Sequence, residues 1–315
     1  MNVNQSNLNK LMNSVMKVEI RCSSKKIFKN TVSSMNIGRY TLSVLPKLNN
    51  QESEFILSFD DSLVHGHSNS EEEGAIVLSV LSVLFNTVLK KKGLRINQID
   101  VGVKNTESNK YLPDISGQLE DQNFSEDINN LLCMSPQLVK QFVRASHAYS
   151  MAIQSIELDI SLTFLLLVTT IECLSTQEEF LPNSQLNKDK QSAERYCKFI
   201  LQYGFSQQNL SQDEQENIKQ ALKTIYYVHR SGFVHGGKEV SIAAEIADKH
   251  DLQGLSHVVD GKDVITPGTK WFIKVVRDSL IGFLKNSPKE IDQPNNDILA
   301  SIARERSVLN FRCAT

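Results

Sequence analysis

Arg230 and His235, five positions apart, are the pair of side chains best equipped for chemistry in this chain. They stand in Tyr226-Tyr227-Val228-His229-Arg230-Ser231-Gly232-Phe233-Val234-His235-Gly236-Gly237. A guanidinium is always charged and grips phosphate oxygens with a planar fork, while an imidazole exchanges a proton near neutral pH. Those groups are the minimum for cutting RNA without a metal. The 2′-hydroxyl must lose a proton, the crowded phosphate needs positive charge, and the leaving 5′-oxygen must gain a proton. The same pair has a plainer use, because cations at a helix C-terminus satisfy carbonyls and complement the dipole. Both readings are open at this level.

The elements that must position the pair can be read around it. Ser211-Gln-Asp-Glu214 has the form of a capping box, and Ile218, Ala221, Leu222, Ile225 and Val228 continue as an apolar stripe at helical spacing. Residues five apart on an ideal helix point roughly 140° apart, so Arg230 and His235 do not share a face if the helix runs on. Ser231-Gly232 weakens it here and Gly236-Gly237 ends it, which leaves His235 at or beyond the final turn. Upstream, Phe164-Leu-Leu-Leu-Val-Thr-Thr-Ile-Glu172-Cys-Leu174 closes the most apolar helix with a carboxylate. A carboxylate is costly to bury unless paired, and Arg230 is the expected partner; the alternative is a glutamate at an exposed helix end. Ser231 either hydrogen-bonds phosphate or caps its own turn. His229 and Tyr227 are candidate substrate contacts, against the reading of a surface histidine and a packed ring. Lys270, Lys274 and Arg277 lie near one face of the last helix, as a basic patch for RNA or simply a solvated face. One histidine is a poor acid and base in the same turnover. A twofold homodimer bringing two helix ends together supplies two of each group.

The first hundred residues read as α+β. Lys17–Arg21, Arg39–Leu45 and Glu54–Phe59 have strand patterns, and Ile96–Val103 is a further candidate. Glu71–Leu89 reads as a helix opened by acids and closed by Lys90-Lys-Lys92-Gly93. Asn105–Asp127, polar and containing Pro113 and Gly117, reads as a linker. Beyond it come helices from Ser135-Pro136, from near Asp159, over Ser192–Tyr203, from Ser211, and from Thr266-Pro267 after a polar loop. Four or five such helices pack naturally as a bundle. The tail from Asn295 carries a short helical pattern at Ile298–Ala303.

Composition limits the partners. The 315 residues include 34 basic and 36 acidic ones, for a formal net charge of −2, so any RNA contact must come from a local basic patch. Cys22, Cys133, Cys173, Cys197 and Cys313 are scattered without CxxC spacing, which argues against a zinc site or a disulfide framework. His65 and His67 in Val64-His-Gly-His67 lack neighbouring cysteines and read as a surface loop. No phosphate-binding glycine loop or nucleophile elbow is present, so neither cofactor nor metal is expected. The polar N-terminus and the short apolar run Leu162–Ile171 point to a cytoplasmic protein without a membrane span.

The segment around Arg230 resembles the HEPN superfamily, in particular its Apea-like branch. Arg230-x4-His235 fits the superfamily's Arg-x4–6-His motif, Tyr227, Arg230-Ser231 and Val234-His235-Gly236 follow the branch's local pattern, and the helix ending at Glu172 is similar to its upstream helix. The likeness covers roughly residues 125–287. It implies a metal-independent endoribonuclease with Arg230 and His235 catalytic at a dimer cleft, Glu172 and Ser231 supporting, and Tyr227, His229, Lys270 and Lys274 near RNA. It also implies prokaryotic anti-phage defence or toxin-like growth arrest, with a regulatory or antitoxin protein as a further partner. A silent HEPN module that binds RNA or nucleotide, and a helical protein with an incidental Arg–His pair, are the alternatives. In the branch paired with nucleotidyltransferase antitoxins a modified Tyr follows the motif His by two positions. Gly237 stands there, so that regulation is not carried over.

The expected fold class is therefore α+β and predominantly helical. An N-terminal α+β domain at 1–120 precedes an all-α helical bundle at 125–290 and a C-terminal tail at 291–315.

Overall fold

A computed structural model of the chain describes residues 15–24, 34–45, 53–62, 66–85, 87–96, 99–101, 124–156, 158–175, 188–230, 234, 255–259 and 262–313. Described residues within Met1–Ser108, Asp114–Lys140 and Pro288–Thr315 form one compact unit, and those within Gln141–Ser287 form a second.

The first unit is built on an antiparallel sheet in the order β2-β3-β4-β1-β5-β6. Its strands are β1 Val15–Ser24, β2 Ser34–Ile37, β3 Tyr40–Val44, β4 Ser53–Ser62, β5 Lys90–Ile96 and β6 Ile99–Val101. Period-two patterning buries Val18, Ile20 and Cys22 of β1, Leu42 of β3, and Phe55, Leu57 and Phe59 of β4. β2 and β3 form a hairpin in which Gly38 has φ +60°, a conformation that costs glycine nothing. Helix α1, Gly66–Leu84, buries Ile76, Val77, Val80 and Leu81. Its Glu73 is only 3% exposed, and accepts from Tyr40 Oη at 2.8 Å and Arg39 Nε at 3.0 Å. A buried carboxylate held by two donors fixes α1 against the β2–β3 hairpin. Helix α2, Phe124–Leu132, stacks Phe124 on Phe85 with ring centroids 4.8 Å apart.

Several elements differ from the sequence reading. α1 begins at Gly66, so Glu71–Glu73 do not open it, and it ends before Leu89. Lys90-Lys-Lys92-Gly93 is strand β5 paired with β1, because β1 supplies ladder partners that a helix cap does not need. The stretch read as linker already contains the start of α2, whose Glu126 and Asp127 suit a helix N-terminus. The second unit is not all-α. Its polar loop contains a hairpin, β7 Leu255–Val259 and β8 Lys262–Thr266, joined by Asp260-Gly261, a dipeptide that favours two-residue hairpin turns. In the segment read as a tail, α8 (Ile298–Cys313) packs on α1, with Arg306 Nη1 3.4 Å from Glu72.

Helix α3, Pro136–Ser155, starts at Ser135-Pro136, and the division between units falls inside it. The second unit continues with α4 Ile160–Ser175, α5 Lys188–Gly204, α6 Gln212–Thr224 and, after the hairpin, α7 Thr269–Asn286. α4 carries nine buried side chains on all sides and is central, as its uniform hydrophobicity predicts. Phe164 of α4 meets Phe272 of α7 at 5.3 Å. α5 and α7 cross closely at Gly282, where a Cβ would stand 2.1 Å from the Tyr203 carbonyl oxygen. Among the described residues no helix is long and apolar enough to cross a membrane.

Candidate active site

The helix that carries Arg230 begins with a complete capping box. Ser211 Oγ accepts from the Glu214 amide at 3.3 Å, and the Glu214 carboxylate accepts from the Ser211 amide at 2.8 Å. Ile218, Ala221, Leu222 and Ile225 then face the core. At Ile225 the winding changes, and Ile225–Arg230 is a π-helical turn. Such wide turns accommodate one extra residue per helix and recur where a side chain must be aimed. Tyr226 turns inward at 2% exposure, whereas Tyr227 is 39% exposed.

The wide turn brings Arg230 over Tyr226 and beside α4. Its Cζ lies 5.3 Å from the Tyr226 ring centroid, within cation–π range. Its Nη2 is 3.3 Å from Glu172 Oε1, and the same oxygen accepts the Tyr226 hydroxyl at 2.8 Å. One carboxylate oxygen therefore anchors both the guanidinium and the phenol beneath it. Burial, and then the adjacent Glu172 carboxylate, push the Tyr226 phenol well above its ordinary pKa, with Arg230 pulling the other way. Tyr226 is thus a fixed donor at physiological pH. The Tyr196 ring of α5 packs on Tyr226 at 5.4 Å. The Tyr196 hydroxyl is buried and makes no hydrogen bond among the described residues; burial, then Cys197, Glu172 and Tyr226, raise its pKa. Ser192 of α5 also hydrogen-bonds the Tyr226 hydroxyl.

Of the residues singled out in sequence, Arg230, Glu172 and Tyr227 meet here, with Tyr227 edge-on to Tyr226 at 5.7 Å. His235 and Ser231 lie outside the described residues, as does the His229 side chain. Lys270 is half-buried at the start of α7; Lys274 is exposed and pairs with Asp278 at 2.7 Å. His65 and the His67 side chain are likewise outside the described residues, and no described group of three His, Cys, Asp or Glu could hold a metal. Cys22, Cys133, Cys173 and Cys197 are free thiols, three of them buried.

Sequence reasoning missed Tyr226 as a hydrogen-bond donor, along with Tyr196 and Ser192. A signal was present for the first, since Tyr226 precedes Arg230 by four positions and so shares its helix face. Nothing local marks the other two. With both side chains only about a quarter exposed (24% for Arg230 and 26% for Glu172), the cluster is an oriented cation open on one side to solvent, suited to an anionic group. No family model matches the chain, and no curated protein or solved structure is similar enough to indicate relationship.

Proposed function

We propose that this chain is a metal-independent endoribonuclease of the HEPN type, acting as a twofold dimer in anti-phage defence or toxin-like growth arrest. The observation that supports it is the shared oxygen of Glu172. Both donors converge on that oxygen, and the guanidinium is held in one orientation at the end of α6. An oriented, partly desolvated arginine stabilises the charge that builds on a phosphate as a 2′-hydroxyl attacks it. In this reading one His235 takes the 2′-hydroxyl proton, and the partner subunit's His235 delivers one to the departing 5′-oxygen. The P–O5′ bond breaks as the P–O2′ bond forms. The products are a 2′,3′-cyclic phosphate and a 5′-hydroxyl, with no net change in protons.

The test is purified protein against tRNA and mRNA with EDTA present. Wild type should cut, with 2′,3′-cyclic phosphate ends. His235→Ala should fall by ~10²–10⁴-fold, the usual cost of losing a general acid–base. Binding without cleavage by the wild type would replace the nuclease with a silent RNA-binding module, and equal cleavage by His235→Ala would remove the assignment. Mixing Arg230→Ala with His235→Ala chains should restore part of the activity if the cleft is composite.

A further inference from the structure

The chain as a whole is slightly acidic, yet its second unit carries a strongly basic channel. Two neighbouring cavities share Tyr203 at the end of α5. One, of about 150 Å³, is lined by Arg195 and Lys198 together with Ser175 and Gln202. The other, of about 590 Å³, runs along α7 and is lined by Lys274, Arg277 and Lys285 with Gln207, Gln208 and Asn286. Asp278 is the one acidic residue lining either cavity, and it sits 2.7 Å from Lys274 and 4.0 Å from Arg277. Five cations thus surround Tyr203 against one carboxylate.

The channel is joined to the Arg230 cluster by a chain of contacts. Arg195 Nη2 donates to Ser192 Oγ at 3.3 Å, Ser192 hydrogen-bonds the Tyr226 hydroxyl, and the Tyr226 ring lies beneath Arg230. Lys274 and Lys285 are eleven positions apart on one helix, which is roughly 16 Å at 1.5 Å per residue. That length exceeds one phosphate and suits a run of several. Tyr203 stands at the join, its inner side held by Phe199 at 4.7 Å and Phe283 at 5.6 Å. Cations along a groove, with an aromatic ring among them, are the features that hold single strands through backbone charge and base stacking. A duplex hides its bases and is met by shape across a shallow groove instead.

We propose that single-stranded RNA flanking the cleavage point lies in this channel, from the Arg230 cluster past Tyr203 to the end of α7. The inference rests on the ribonuclease reading and names the substrate form and its path. Lys198, Lys274 and Lys285 are exposed, so their replacement leaves the core intact.

The experiment uses full-length His235→Ala protein, which holds the strand uncut, and a fluorescent oligouridine of about twelve nucleotides. The salt dependence of affinity is read by anisotropy. Each phosphate contact on a single strand contributes a log–log slope of about 0.7, so Lys198→Gln/Lys274→Gln/Lys285→Gln should lower the slope by about 2 and weaken binding at least about tenfold near 50 mM salt. The triple Lys→Arg variant should retain both. An unchanged slope in the Gln variant overturns the proposal. So does tighter binding of a duplex of equal length, or of polyglutamate, which would point to a folded helix or an acidic protein as the occupant. Cleavage is assayed separately. If it depends on His235 while affinity ignores the lysines, the channel falls alone. If cleavage ignores His235 while affinity follows the lysines, the nuclease reading falls and the channel stands.

Discussion

Replacing Glu172 with Gln keeps the shape of the anchor and removes its charge. In the wild type, Oε1 takes the Tyr226 hydroxyl at 2.8 Å and Arg230 Nη2 at 3.3 Å, with the acid and guanidinium side chains 26% and 24% exposed. Opposite charges about 4 Å apart attract by about 4 kcal/mol at an effective dielectric near 20, and by about 1 kcal/mol in water. Exposure and the entropy of fixing two side chains bring surface pairs down to ~0.2–1 kcal/mol. A hydrogen bond to a charged acceptor is worth ~1.5–3 kcal/mol against ~1 for a neutral one, and the amide oxygen keeps the neutral bond to Tyr226. The net loss should be about 1–2.5 kcal/mol. Trp271 is the chain's one tryptophan and is buried in α7, so its fluorescence follows unfolding of the second unit in urea. With slopes of ~1–3 kcal/mol/M, the midpoint should fall by roughly 0.5–1.5 M at unchanged slope. Adding Tyr226→Phe closes a double-mutant cycle, and the coupling should be ~0.5–1.5 kcal/mol. A wild-type midpoint for Glu172→Gln, or zero coupling to Tyr226, would refute the shared-anchor argument.

Four further outcomes follow from particular contacts. Gly282→Ala pushes a methyl into the Tyr203 backbone and should cost at least the ~1–3 kcal/mol typical of overpacking; the same urea midpoint checks it, and a neutral result contradicts the close crossing. Tyr196→Phe removes a buried hydroxyl without a partner among the described residues, so stability should hold or rise; a loss beyond about 1 kcal/mol would show that the hydroxyl is engaged. Lys223 at 2.6 Å, with Lys219 at 3.3 Å, holds the Glu194 carboxyl below its ordinary pKa. Wild type should therefore exceed Glu194→Gln in stability above the ordinary carboxylate range, and the difference should vanish as pH falls through the lowered value; a difference that grows on acidification reverses the sign. Burial pushes the Cys22 and Cys197 thiols up to about 12, so neither should alkylate in the folded protein at pH 8, whereas both should in denaturant.

What could be read in sequence was whatever depends on neighbours along the chain. The capping box at Ser211, the start at Ser135-Pro136 and the uniformly apolar α4 are local signals, and the structure has those elements where the residues put them. The basic run Lys90–Lys92 misled because it suits a helix dipole as well as a strand, and only pairing with β1 decides between them. The β7–β8 hairpin carried a legible Asp-Gly signal that was read as loop. At the candidate site, Glu172 and Arg230 are 58 positions apart (230 − 172), and their meeting rested on charge and cost of burial. Tyr196 and the cations around Tyr203 belong to helices remote in sequence, so only the packing of α5 on α7 reveals them.

The π-helical turn also changes how the motif's spacing should be counted. An α-helix made wide by one residue reaches the same place in space one position later in sequence. Trimming a single residue from Ile225–Arg230, so that ordinary winding resumed, would rotate everything after the cut by about 100° and draw it back by about 1.5 Å. A relative with an uninterrupted helix would therefore need its arginine one residue closer to the capping serine to meet the same carboxylate. In such a protein the interval from arginine to histidine could stay the same while the interval from cap to arginine shortened. Comparisons that fix only the Arg–His interval would overlook that difference.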